Sequence, residues 1–177
     1  MTYVRDDVKN LLGMLAAMEG PQMHEVDPET GRQMYLQTGA VAERPAPADV
    51  TTANLAIPGP AGVIKARSYR PANAAADGPT IVFFHGGGWV IGDLDTHDVL
   101  CRELCNASGC AVVAVDYRMG PEVRFPGAVN DVLAATRWVA SQAKQLRIDS
   151  TRLAVGGGAR MAEGVATTAP GACAPGG

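Results

Sequence analysis

Several features are scarce or missing in these 177 residues, and each absence removes a class of function. There is no basic excess: 15 Lys plus Arg stand against 18 Asp plus Glu, a formal net charge of -3. A phosphate backbone is held by a concentrated positive field, so nucleic acid is not an expected partner. Long hydrophobic runs are missing too. Uncharged apolar-rich stretches such as Cys105 to Val115 fall far short of the ~20 residues that cross a bilayer, and no membrane span is expected. After Met1, TYVRDDVKN mixes charges of both signs, which argues against a secretion signal. Cysteines are few. Cys101, Cys105 and Cys110 crowd one segment with Cys173 far behind, a distribution that suits reduced thiols in a cytoplasm better than a disulfide framework. What is present is an ordinary globular composition, 47% hydrophobic and 19% charged, with length for one well-filled core.

Residues 1–49 read as helical. Val4, Val8, Leu11, Leu15 and Met18 form a stripe that avoids Asp6, Asp7 and Lys9, so one face calls for cover. Asp27 is expected to cap a second helix with Pro28 at its first position and Gly39 closing it, before a linker, RPAPAD, at 44–49. From Val50 the pattern changes: TTANLAI and VIKARSY flank the turn residues PGPAG and predict a hairpin. TIVFF (80–84), AVVAV (111–115) and RLAV (152–155) are short continuous apolar runs, the signature of strands buried on both faces. Helical patterns at Thr96 to Ala107 and Ala128 to Leu146 lie between them, which predicts an α/β fold with a mostly parallel sheet. The last 22 residues contain seven Gly, six Ala and two Pro without period and are expected to be disordered.

The sharpest motif is His85-Gly86-Gly87-Gly88-Trp89, directly after TIVFF. Three glycines allow a tight turn and leave backbone N–H groups unobstructed, as binding a developing oxyanion requires; a bare structural turn uses the same residues. Two further segments narrow the choice: Gly92-Asp93-Leu94-Asp95-Thr96-His97-Asp98, and Asp116-Tyr117-Arg118-Met119-Gly120-Pro121-Glu122 followed by Phe125-Pro126 and Asp131. Together these resemble the hormone-sensitive-lipase family of α/β-hydrolase esterases, from the N-terminal helices to about Gly157. The resemblance implies a carboxylic ester hydrolase acting on small short-chain acyl esters through Ser, His and Asp, with neither cofactor nor metal. It implies that Gly86 and Gly87 supply oxyanion-hole N–H groups, with His85 and Gly88 shaping the loop. Asp116, Tyr117, Arg118, Pro121 and Glu122 read as structural, an Arg/Glu pair bracing the turn before the next helix. Residues 1–49 would be a helical cap over the acyl pocket, 50–157 the N-terminal part of the hydrolase domain, and 158–177 a tail.

The chain departs from the family at the nucleophile. Where the family continues into Asp-Ser-Ala-Gly-Gly, this sequence reads Gly158-Ala159-Arg160-Met161, and Ala159 has no nucleophilic atom. None of Ser68, Ser108, Ser141 and Ser150 lies in a G-x-S-x-G context. Beyond Ala159 there are 18 residues with Glu163 the sole acid and no histidine, so the chain as given is expected to be inactive. A frameshifted or truncated gene accounts for the composition of the tail; a genuine short form, serving as a non-catalytic acyl- or ester-binding or protein-interaction module, is the other reading. Ending the fold at the fifth strand predicts an uncovered apolar edge and self-association through it.

Lesser patterns have blander readings. Asp93, Asp95, His97 and Asp98 could be drawn as a metal cluster, but a polar loop with Asp95 or Thr96 capping the following helix is the expected arrangement. Cys101, Cys105 and Cys110 lack a C-x-x-C pair and read as core thiols rather than zinc ligands. Gly156 and Gly158 are followed by Met161 where a dinucleotide fingerprint needs glycine. His24 and His97 read as solvated or capping residues.

Overall fold

The computed structural model describes residues 3–17, 20–42, 44–72, 74 and 76–158. The N-terminal region holds α1 (Asp6–Ala17), a 3-10 turn (Met23–Glu25) and α2 (Pro28–Ala42). Strands β1 (Val50–Gly59), β2 (Gly62–Pro71) and β3 (Gly78–Phe84) follow. Then come α3 (Asp98–Ser108), β4 (Ala111–Asp116), α4 (Gly127–Ser141), α5 (Ala143–Leu146) and β5 (Ile148–Gly157). The sheet order is β1-β2-β4-β3-β5, with β1 and β2 pairing antiparallel, β2 antiparallel to β4, and β3 parallel to both β4 and β5. It is a mixed sheet: a long hairpin laid against a parallel α/β core.

Burial on both faces makes β4 a continuous apolar run. Val113 and Val115 pack with Ile57, Ile64, Val82 and Phe84 beneath Val132, Ala135 and Val139 of α4. Val112 and Ala114 face the other way, onto Tyr69, Phe83 and the thiols of Cys101 and Cys105 in α3. Each crossover thus places its helix on one face, and successive residues of a strand serve opposite cores. Cys101 and Cys105 are core thiols; burial pushes them up to about 12 and about 11.

The boundaries differ from the sequence pattern in instructive places. Asp27 does cap α2, its Oδ1 accepting the N–H groups of Glu29 and Thr30 at 3.1 Å each. Gly39 does not end it: the helix runs on to Ala42, since a glycine weakens a helix interior by about 1 kcal/mol without forbidding it. Gln142, at φ -96° and ψ 24°, splits the single helix expected at 128–146 into α4 and α5. The stripe of α1 is uncovered among the described residues, with no residue of that helix buried. The Gly/Ala/Pro tail from Ala159 onward, Ala159 included, lies outside the described residues. Among those described, no helix is long and apolar enough to cross a membrane.

Candidate functional site

The carboxyl ends of β3 and β5 lie side by side, Phe84 registering with Gly157. Gly158 N–H donates to the Phe84 carbonyl at 3.2 Å, and a Cβ on Gly157 would lie 2.5 Å from that same oxygen. The chain therefore leaves β5 in contact with the HGGG loop: a Cβ on Gly86 would meet the backbone of Gly158 at 3.4 Å. Position 159, which the resemblance assigns to serine, follows directly in the sequence.

Within the loop the glycines are demanded by geometry. Gly87 has φ +125°, and a side chain there would start 1.9 Å from the Ile91 carbonyl oxygen. That carbonyl is near because Val90 and Ile91 turn back to donate to the Gly87 carbonyl at 3.1 Å. Among the described residues the N–H groups of Gly87 and Gly88 donate to no acceptor. The Gly86 N–H is different: it faces Nε2 of His97 at 3.4 Å.

His85 is buried beneath this loop. Its ring stacks on Tyr117 at 4.4 Å between centroids, and the Tyr117 hydroxyl donates to the His85 carbonyl at 2.7 Å. Nδ1 donates to the Gly86 carbonyl at 2.9 Å, leaving Nε2 buried without a partner among the described residues. Burial holds His85 below the ordinary imidazole value, and burial together with the neighbouring His85 does the same to His97. Both rings are neutral near pH 7.

The flanking motifs brace the loop, with partners that spacing did not disclose. Glu122 pairs with Arg32 of α2 rather than with Arg118, through bonds of 2.9 and 2.8 Å. Those bonds hold the Glu122 carboxyl down at about 2. Arg32 also donates to the carbonyls of Val90 and Gly120 at 2.8 and 3.0 Å, so one guanidinium ties the N-terminal helix, the HGGG loop and the Pro121 turn together. Arg118 turns to the fully buried Asp131 instead, with Nε and Nη2 each at 2.7 Å and its backbone N–H at 3.1 Å. Arg32 lies in a helix that reads from sequence as mere amphipathic cover; a long-range partner leaves no periodic trace.

The acidic loop is organised by Asp93, not by Asp95 or Thr96 as α3 caps. Its Oδ1 accepts the N–H groups of Asp95 and Thr96 at 2.9 and 2.7 Å. His97 takes the N-cap position without any side-chain cap bond. Asp95 and Asp98 are bound to Arg67 at 2.8 and 2.9 Å, and Asp98 also to Arg102 at 2.6 Å. Although burial pushes the Asp98 carboxyl up, these cations and the Tyr69 hydroxyl keep it below the usual range. Asp116 is raised by burial and by Asp93 and Asp95, and it lines a separate cleft of about 430 Å³ with Lys65 and Arg67.

A family profile described as the alpha/beta hydrolase fold matches residues 81–172. The chain belongs to the α/β-hydrolase fold family. The chain is 46% identical to the esterase LipI of Mycobacterium tuberculosis over 116 residues, 64% of the chain and 36% of the relative. It is 40% identical to the carboxylic ester hydrolase LipN of the same organism over 87% of the chain and 35% of the relative. An ethyl acetate hydrolase of Pseudomonas putida is 38% identical, over 76% and 43%. Among solved structures, an ester-hydrolase from the metagenome of Lake Arreo, complexed with a bipyridine phosphonate derivative, matches with a TM-score of 0.89 and 37% identity. That match covers 93% of this chain and 55% of the other. A hyperthermophilic esterase from Pyrobaculum calidifontis matches at 0.79 and 36%, over 88% and 50%. The chain thus spans 35% of LipN and 43% of the ethyl acetate hydrolase.

Proposed function

We propose that this chain carries the N-terminal part of a carboxylic ester hydrolase for short-chain acyl esters, with residues 1–49 as its cap and the HGGG loop as its oxyanion hole. The observation that carries the reading is that the N–H groups of Gly87 and Gly88, at the carboxyl end of β3 and beside the end of β5, meet no acceptor among the described residues. Gly87 keeps the donor role that the family resemblance implies. Gly86 already gives its N–H to His97, so the second amide offered to a ligand is that of Gly88. Fixed backbone dipoles of this kind stabilise a tetrahedral oxyanion because they need no reorientation as charge develops. Loop and strand end come from adjacent parallel strands, the place where open α/β sheets bind ligands.

In a complete relative, serine would attack the ester carbonyl, histidine would carry the proton and a carboxylate would orient the histidine. In this polypeptide Ala159 occupies the slot that the resemblance assigns to serine and carries no nucleophilic atom, so it binds an ester or its oxyanion analogue without turning it over. Purified protein is expected to leave p-nitrophenyl butyrate unhydrolysed while a short alkyl phosphonate raises its melting temperature. Gly87→Ala, which drives a methyl into the Ile91 carbonyl, should abolish that rise. Turnover that survives repurification and disappears in Gly86→Leu overturns the inactivity; a flat response to phosphonate overturns the oxyanion hole.

A further inference from the structure

We infer that His97 is a positioning residue for the HGGG loop: its Nε2 holds the Gly86 amide, so that the next two amides are the ones left free for a ligand. The inference rests on the oxyanion reading above. Its physical basis is a tautomer fixed by the neighbouring threonine. A hydroxyl has one proton and two acceptor sites. Thr96 Oγ1 gives its proton to the Asp93 carbonyl at 3.0 Å and accepts the Asp93 N–H at 2.8 Å. Its remaining contact, 3.0 Å to His97 Nδ1, is then one in which the imidazole donates, the role that a donating Gly86 N–H at Nε2 also requires. With Nδ1 protonated in a neutral ring, Nε2 is a bare lone pair, and it is the atom 3.4 Å from the Gly86 nitrogen.

A charged ring could not do this, because a proton on Nε2 would meet the Gly86 N–H head-on. The surroundings keep the ring neutral. The His85 ring lies 5.6 Å away, Phe83 of β3 at 6.1 Å and Tyr35 of α2 at 6.5 Å; Asp93, in the loop, is the charge that works the other way. His85 meanwhile holds the carbonyl of Gly86 at 2.9 Å, so two histidines fix both ends of one glycine. Since a peptide unit is planar and trans, fixing that carbonyl also sets the direction of the Gly87 N–H.

The test uses the 15N-labelled 177-residue protein with butylphosphonate as probe. Imidazole spectra are expected to show His97 as the Nδ1–H tautomer, and the Gly86 amide signal to move as His97 titrates in acid. His97→Phe keeps a ring but removes the acceptor, and should bind butylphosphonate roughly tenfold more weakly, the effect of losing one hydrogen bond. His97→Gln, whose amide oxygen can accept the Gly86 N–H, should recover most of the affinity. Unchanged binding by His97→Phe, or a Gly86 amide indifferent to His97, overturns the positioning role. Should His97→Phe fail to fold, the tautomer and the Gly86 titration in the unsubstituted protein decide. If Gly87 and Gly88 ignore butylphosphonate in that protein, the oxyanion reading falls, while the response of Gly86 to His97 still tells whether the histidine holds the loop.

Discussion

Helices α1 and α4 are both amphipathic, and they meet opposite fates. α4 buries Asp131, Val132, Ala135, Thr136 and Val139 against the sheet. α1 buries nothing, and Val8, Leu11, Leu12, Met14 and Leu15 are 40–71% exposed. The difference lies in the connections. α4 is strung between the parallel neighbours-but-one β4 and β5, so the crossover lays it on the sheet face. Among the described residues α1 is not strung between two strands, so no crossover holds it to the sheet. An apolar stripe states a need for cover; topology decides whether cover is supplied.

Substitutions can break that comparison, the largest effect first. Asp131→Ala should cost about 3 kcal/mol in urea unfolding, because it strips the Arg118 guanidinium of a buried partner. A loss below about 1 kcal/mol would show that the anchor of α4 is dispensable. Val139→Ala should cost about 2 kcal/mol, from the loss of two buried carbons and the space they leave. Leu11→Ala on α1 should stay within about 0.5 kcal/mol. Equal losses at Leu11 and Val139 would mean that the stripe of α1 is covered in solution.

Acid should sharpen the contrast further, since α1 holds no histidine while the loop beside α3 is braced by two. His85 and His97 have folded values below the ordinary 6.5. The unfolded chain therefore takes up protons first as pH falls, and the stability these rings confer is present above 6.5 and lost progressively below it. Melting temperature should drop between about pH 6.5 and 5, a window above the carboxylate range, and the drop should shrink in His97→Gln. Asp116, raised by burial, works in the opposite direction lower in the scale. A melting temperature flat across that window would refute the buried neutral pair. The smallest effect concerns β5, which pairs with β3 alone and has its other edge open among the described residues. We expect concentration-dependent self-association by size exclusion, reduced in Val155→Lys; a clean monomer at high concentration contradicts it.

Much of the site was legible because it is local. Three glycines after an apolar run, and the DYR segment after the next, are contiguous features whose chemistry lies in the backbone. Partners distant in sequence were not legible. Arg32 lies 90 residues from Glu122, and a surface-charged helix gives no sign of which carbonyls it will clamp. The second contact of His97 was hidden for a related reason: besides its N-cap position on α3, one ring nitrogen comes within 3.4 Å of the Gly86 nitrogen, an approach between segments that its neighbours in the chain do not announce.

Patterning by itself determined the alternation of strand and helix, the two-faced burial of β4 and the glycine requirement of the loop, because propensity, periodicity and steric freedom are properties of short segments. Sequence likewise set Ala159, and with it the absence of a nucleophile in that slot. Only the tertiary structure decided the sheet order, the choice of Arg32 for Glu122 and Asp131 for Arg118, and the tautomer of His97. Those depend on directional contacts between segments far apart in the chain, and only the closed fold brings such groups within hydrogen-bonding distance.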